Sequence, residues 1–213
     1  MERMKITACL LLVSAISAVT LRAGVEPVAT TEVARESSMS FARGTREFQN
    51  VSGAFFFFDT TVNDRPAIDY AVDSLRLGIM LNDPFHAGLL SGNFELMGEL
   101  FGGGIFNGPG DVLAGATLLL RYNFLQPQAC VVPYVQIGGG GVYTNISEAE
   151  SRGLIGAPVE FNLQSTGGLR FMLNSRWSIV TEATYRHISN ANLGSRNFGI
   201  DSLGGSLGFG FFF

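Results

Sequence analysis

The chain has 213 residues, of which 27 are Gly and 18 are Phe, and only 15% are charged. The formal net charge of -4 provides no basic surface, which argues against a nucleic-acid partner. Apart from an N-terminal stretch, the chain has no run of the ~18 apolar residues that a membrane-spanning helix requires. The length suits one domain.

The N-terminus has the pattern of a secretory signal peptide. Arg3 and Lys5 precede an apolar stretch over residues 6–21, and an Ala-Gly pair follows as the cleavage site. We therefore predict a signal peptide at residues 1–23. The alternative is an uncleaved anchor helix, which the shortness of the stretch and its Ser and Thr content disfavour.

Residues 24–47 are polar, mixed in charge and without a strand pattern. We expect an N-terminal periplasmic segment here, which forms either a flexible lead or a cap beneath the domain that follows.

From residue 48 onward, the chain divides into about eight segments of alternating polarity, separated by turn-rich stretches. In the seventh segment, for example, Trp177, Ile179 and Tyr185 alternate with Ser178, Glu182 and Arg186. The segments lie near 48–58, 70–81, 89–101, 112–124, 131–143, 160–172, 176–189 and 199–213.

Three features favour an eight-stranded antiparallel transmembrane β-barrel over residues 48–213, with its apolar face outward. The segments reach the ~9–11 residues that cross a bilayer at a tilt, whereas soluble strands average ~5–6. Their polar faces carry ions of both signs, which can pair inside a narrow barrel. The chain also ends on Phe213, which resembles the assembly signal of outer-membrane barrels. A soluble sandwich is the alternative that the sequence alone leaves open. Eight strands leave an interior just filled by side chains, so no pore is expected.

An even number of strands places both termini on the periplasmic side. The connections near 59–69, 102–111, 144–159 and 190–198 are then outside the cell. Those near 82–88, 125–130 and 173–175 are periplasmic and, in general, shorter. The end of the seventh segment and the start of the eighth therefore lie at the outer rim.

Residues suited to nucleophilic catalysis lie at this rim. A loop near 190–198 sets His187 opposite Asp201, with Cβ atoms roughly 4.5–5.5 Å apart, and Ser189 projects from the same face as His187. The imidazole can then accept the serine proton while it donates to the carboxylate, as in a Ser-His-Asp triad. A shift of one residue in register would separate them. Alternatively, His187 is an interfacial polar residue and Ser189 a loop-entry serine, but polar groups facing lipid are costly without a purpose.

The stretch His187-Ile-Ser189-Asn190-Ala191, followed by Asn197-Phe198-Gly199-Ile200-Asp201 and a strand to the terminal Phe, resembles the lipid A 3-O-deacylase (PagL) family. That family is an eight-stranded outer-membrane barrel that hydrolyses the acyl chain ester-linked at the 3-position of lipid A. The resemblance implies catalytic roles for His187 and Ser189 and an oxyanion-stabilising role for Asn197, with Asn190 also following the motif. The family's acid is usually Glu. Asp201 stands there in this chain, and its shorter side chain still supplies a carboxylate.

The leading prediction is a serine esterase, embedded as a multi-pass barrel in the bacterial outer membrane, that removes the 3-O-linked acyl chain of lipid A by a triad on the lipid-facing exterior. Two alternatives stay open: a non-catalytic structural or adhesive barrel, and a lipid-acting acyltransferase or phospholipase. The implied partners are lipid A in the outer leaflet and, through Phe213, the barrel-assembly machinery. A homodimer is left open. No metal or organic cofactor is expected, and Cys130, the only cysteine after cleavage, has no metal-site pattern around it.

Overall fold

The computed structural model describes residues 40–58, 65–127, 129–193 and 198–213. The predicted signal peptide and most of the predicted N-terminal segment lie outside these residues. The described residues form eight antiparallel strands, closed into a barrel in sequence order. The strands are β1 (Arg46–Phe57), β2 (Asp69–Met80), β3 (Gly92–Asn107), β4 (Val112–Phe124), β5 (Val131–Thr144), β6 (Val159–Met172), β7 (Trp177–Ser189) and β8 (Ile200–Phe212). The predicted fold class is confirmed.

The barrel closes where the last strand pairs with the first. β8 and β1 run antiparallel from the pair Glu47–Phe212 to the pair Phe57–Ser202. Closure leaves no strand edge with unpaired backbone groups, which is the condition for a sheet to cross hydrocarbon.

Most strand ends lie within two residues of the predicted ones, but β3 does not. The sequence places Gly102, Gly103 and Gly104 in a turn, because glycine is typical of turns. In the structure they belong to the strand: a methyl group on Gly103 would lie 1.9 Å from the Ala71 carbonyl oxygen, so the residue permits a close backbone approach. The predicted connection 102–111 is therefore only residues 108–111, and it is not longer than the connection 81–91 at the other end.

The outer surface of the barrel is apolar. In β2, Leu75, Leu77 and Ile79 are 48%, 57% and 39% exposed, whereas Ser74 and Arg76, which have the opposite parity, are buried. The same alternation runs through β4, β6 and β7, as predicted. An apolar exterior and a polar interior are the reverse of a soluble protein and match a barrel in lipid. In the described part of the chain, no helix is long and apolar enough to cross a bilayer.

The middle of the interior is filled by buried ion pairs. Arg76 donates to Glu182 through Nη1 at 2.6 Å and to Glu99 through Nε at 2.8 Å, and Arg170 Nη2 donates to Glu47 Oε2 at 2.5 Å. The network consists of Arg76, Arg121, Arg170, Arg186, Glu47, Glu95, Glu99 and Glu182. Charges that water cannot reach must be neutralised by one another, and these strands bring both signs together.

Apolar side chains pack above and below the ion pairs. At the end where β1 begins and β8 ends, Phe41 is buried and packs edge-to-face against Phe212, with ring centroids 5.4 Å apart. At the opposite end, the connection 145–158 folds over the barrel mouth and buries Ile146, Leu154 and Ile155. This connection contains a one-turn helix, α1 (Glu148–Ser151). Ser147 caps its N-terminus: the Ser147 hydroxyl oxygen accepts a hydrogen bond from the Glu150 amide.

Candidate active site

The candidate site lies where β7 ends and β8 begins. In the register of these strands, His187 pairs with Asp201 and Ile188 with Ile200, as the sequence predicts. The side chains of His187 and Ser189 share the outward face of β7 with Trp177 and Ile179, while Ile188 between them is buried. The three predicted triad residues therefore belong to the lipid-facing surface of the barrel.

His187 and Asp201 are directly hydrogen-bonded. Nδ1 of His187 lies 2.8 Å from Oδ1 of Asp201, and the two side chains are 28% and 35% exposed. An ionised carboxylate only accepts hydrogen bonds, so Nδ1 of a neutral imidazole carries the hydrogen here. The aspartate thus reaches the ring despite its short side chain, and it leaves Nε2 as the basic nitrogen.

A second donor bonds to the same carboxylate oxygen. The phenol of Tyr185 donates to Asp201 Oδ1 at 2.5 Å, and the Tyr185 ring contacts Phe58 with centroids 6.1 Å apart. From the sequence alone, Tyr185 is predicted only to lie on the apolar face. The signal that could have identified it is its position, two residues before His187 on the same side of the strand.

Gly199 lies between the imidazole and the serine. A methyl group on this residue would lie 2.8 Å from Cε1 of His187 and 3.2 Å from Cβ of Ser189, so both side chains converge on the space that glycine leaves empty. Its φ of +81° is also in the region that favours glycine. In the described residues, Ser189 Oγ makes no hydrogen bond to the imidazole. Such bonds are often long before substrate binds.

The connection over the barrel mouth holds the start of β8 in place. The amides of Phe198 and Gly199 donate to the carbonyls of Gly153 and Leu154, at 2.9 and 3.1 Å. The backbone of Asp201 itself lies between β7 and the Phe58 amide at the end of β1, and this connection holds the two residues that lead into it.

Asn190, the first asparagine of the motif, belongs to the turn that follows β7. Asn190 is buried, and its Oδ1 accepts a hydrogen bond from the Asn192 amide at 2.9 Å. This bond supports a turn in which Ala191 and Asn192 have φ of 51° and 61°. Because an oxyanion needs donors, that oxygen cannot serve it. Asn197 lies outside the described residues.

A mostly apolar depression lies on the outer surface of the barrel beside the candidate site. It has a volume of about 340 Å³ and is lined by Gly140, Gly141, Ala157, Val159, Glu160, Phe161, Asn190 and Leu193. Phe161 is the strand partner of Ser189, which places this depression next to the serine. A second depression, of about 470 Å³, lies farther along the glycine run of β5 and is lined by Leu96, Leu118, Leu120, Ile137, Gly138, Gly139, Leu163 and Gln164. The mostly apolar lining of both depressions suits contact with hydrocarbon chains.

The site has no grouping suited to a metal. Within residues 40–58, 65–127, 129–193 and 198–213, no three His, Cys, Asp or Glu side chains come together as metal ligands do.

Comparison with known protein structures supports the barrel fold. The chain is similar to the outer membrane enzyme PagL (17% identity, TM-score 0.55, covering 75% of this chain and 97% of that one). It is also similar to Neisserial surface protein A (12%, TM-score 0.52, 79% and 97%) and to the N-terminal β-barrel domain of Pseudomonas aeruginosa OprF (17%, TM-score 0.50, 80% and 98%). At such identities the likeness shows the fold alone. No curated protein sequence matches the chain.

A family profile gives the more specific result. The profile described as Lipid A 3-O-deacylase (PagL) matches residues 78–210, which includes the candidate site and most of the barrel. The chain is thus an outer-membrane β-barrel that belongs to the lipid A 3-O-deacylase (PagL) family.

Proposed function

We propose that this protein is a serine esterase that hydrolyses the 3-O-linked acyl chain of lipid A. The observation that carries the proposal is the hydrogen-bonded pair of His187 and Asp201 on the lipid-facing surface, with Ser189 on the same face of β7. Membership of the family supports the choice of lipid A and of the 3-position.

In the proposed reaction, Ser189 Oγ attacks the ester carbonyl while Nε2 of His187 takes its proton. Asp201 accepts the Nδ1 hydrogen, which fixes the tautomer and stabilises the imidazolium that forms. The tetrahedral intermediate collapses as the imidazolium protonates the departing sugar oxygen, which leaves the acyl chain on Ser189. Water, activated by His187, then attacks the acyl-enzyme and releases the free hydroxy fatty acid.

The developing oxyanion needs hydrogen-bond donors. We assign Asn197 to this role because the family motif implies it, with Asn190 supporting the turn beside it. Removal of one such donor typically costs about 2.7–4 kcal/mol of transition-state stabilisation. Asn197→Ala is therefore expected to lower kcat roughly a hundredfold to a thousandfold.

The surroundings of the proposed triad fit a substrate that lies in the membrane. A lipid in the outer leaflet can present its ester to a lipid-facing serine without leaving the bilayer. In this proposal the depression beside Ser189 receives the acyl chain, while the sugar remains at the rim near the connection 145–158.

Two further partners complete the proposal. Phe213 follows β8 and stacks on Phe211. Because its side chain is exposed, the barrel-assembly machinery can reach it. The homodimer that the sequence analysis leaves open remains a prediction, which sedimentation of the detergent-solubilised protein tests.

Mass spectrometry of lipid A from cells that express each variant tests the activity. Wild type should remove one 3-linked hydroxyacyl group, and Ser189→Ala and His187→Ala should remove none. Ser165→Ala is the matched control, because Ser165 is also exposed on the outer face, on the neighbouring strand. If the lipid A spectra are the same with and without the wild-type protein, the esterase hypothesis is wrong and the non-catalytic structural barrel is the hypothesis that remains.

A competition assay separates lipid A from other esters. Purified protein is given lipid A and phospholipid together, and the released fatty acids are identified. We expect 3-hydroxy fatty acid from lipid A. Release from phospholipid, or transfer to another lipid, would instead support a phospholipase or an acyltransferase.

A further inference from the structure

Asp201 accepts two hydrogen bonds on a single carboxylate oxygen. Oδ1 receives Nδ1 of His187 at 2.8 Å and the hydroxyl of Tyr185 at 2.5 Å. Tyr185 pairs with Leu203, so its phenol reaches Asp201 diagonally across the two strands.

The position of Asp201 makes the second bond important. The side chain is 35% exposed at the rim of the barrel's outer face, and no cation faces it among the described residues. A carboxylate there is held by its hydrogen bonds alone, and bonds to an ionised acceptor are the strong ones. With His187 as its one donor, the carboxylate could rotate away whenever the imidazole moved.

The Tyr185 ring is itself well fixed. It contacts the Phe58 ring, and the Phe58 amide donates to the backbone carbonyl of Asp201 at 3.0 Å. Tyr185, Phe58 and Asp201 are thus joined through both side chain and backbone. These contacts place the phenol oxygen within hydrogen-bond distance of the carboxylate.

We infer that Tyr185 is a positioning residue of this site, whose hydroxyl holds the Asp201 carboxylate in the orientation that fixes His187. The inference rests on the proposed function, since it assumes that His187 and Ser189 carry out the ester hydrolysis. Tyr185 touches neither the serine nor the ester in this role. It acts only through Asp201.

The test is a double-mutant cycle on purified protein in detergent, with lipid A as substrate. Tyr185→Phe keeps the ring and its contact with Phe58 but removes the hydroxyl. We expect kcat to fall by roughly tenfold or more with KM unchanged, because a hydrogen bond to a charged group is lost. In an Asp201→Ala background, the same change should have no further effect. The labelling rate of Ser189 by a fluorophosphonate gives a second measurement for the slowest variants.

Tyr122→Phe is the control. Tyr122 also lies on the outer face and donates a short hydrogen bond, to the Leu90 carbonyl, but at the opposite end of the barrel. If Tyr185→Phe matches wild type, or lowers the rate by the same factor with and without Asp201, the positioning role is wrong. If the wild type shows no turnover that depends on Ser189, the proposed function itself fails, which is a different outcome.

Discussion

Gly199 leaves empty the space beside the His187 ring that a larger side chain would fill. A methyl group on Gly199 would lie 2.8 Å from Cε1 of the ring and equally close to the Ile188 carbonyl oxygen. The imidazole therefore occupies its position only because residue 199 has no side chain.

Gly199→Ala should inactivate the protein while the barrel still folds. The added methyl displaces the His187 ring, and a misplacement of about 1 Å can cost roughly a hundredfold in rate. The φ of +81° adds backbone strain of about 1–3 kcal/mol, which the closed barrel should tolerate. Turnover of lipid A measures the first effect, and the heat-dependent shift of the folded band in gel electrophoresis measures the second.

Gly167→Ala provides the comparison. Gly167 lies in β6, and a methyl group there would meet nothing within 4 Å. This variant should have wild-type activity. A fully active Gly199→Ala would mean that the ring does not need the position seen in the structure.

Asp201 is predicted to act as an acceptor for the histidine. Asp201→Asn presents an amide in place of the carboxylate, which favours the wrong tautomer of His187. The equivalent change in a serine protease lowers kcat by about ten-thousandfold. Asp201→Glu keeps the charge and should retain far more activity than the asparagine variant. If Asp201→Ala and the wild type hydrolyse lipid A at equal rates, Asp201 is not part of the catalytic site.

The sequence predicts the pairing of His187 with Asp201 because two features determine it. Alternation along β7 puts His187 and Ser189 on one face, and the length of the 190–199 connection sets which residues meet. The hydrogen bond between Tyr185 and Asp201 is not predicted from the sequence because the two residues are diagonal neighbours. A diagonal contact depends on side-chain rotamers as well as on register.

Glycine explains the main error in the predicted fold, which is the end of the third strand. Glycine is typical both of turns and of places where strands pack closely, and local sequence does not separate the two uses. Gly103 faces the Ala71 carbonyl of the adjacent strand, a contact made only after the sheet has formed. Local sequence therefore predicts that the third strand ends near residue 101, whereas β3 continues to Asn107.

The interior ion pairs should matter for stability and not for catalysis. Glu182 receives two hydrogen bonds from Arg76, at 2.6 and 3.0 Å, and one from the Tyr134 hydroxyl at 2.8 Å. Glu182→Gln removes one of the four negative charges that balance four buried guanidinium groups, and loss of one partner from a buried ion pair typically costs about 3–5 kcal/mol. Urea titration in lipid vesicles should show this loss, with lipid A turnover unchanged under folding conditions. Glu148→Gln, the same change at an exposed position in α1, should leave the free energy of unfolding unaltered.

A polar cluster on the outer face of β1 and β2 gives the last prediction. Asp73 is exposed among apolar neighbours and accepts hydrogen bonds from Asn50 Nδ2, at 3.0 Å, and from Ser52 Oγ, at 2.6 Å. In hydrocarbon, a carboxylate without hydrogen-bond donors costs the full desolvation free energy of an unsatisfied polar group. We therefore expect the Asn50→Ala/Ser52→Ala double variant to lower the free energy of unfolding by about 1–3 kcal/mol.

Removal of the carboxylate together with its donors should be nearly neutral, because no unsatisfied group then remains. The triple variant that adds Asp73→Ala should accordingly regain most of the stability that the double variant loses, in the same urea titration. A triple variant less stable than the double would show that Asp73 contributes through a contact other than these two donors. If all variants have the same free energy of unfolding as the wild type, water must reach this part of the barrel surface. Asp73 then lies outside the hydrocarbon layer.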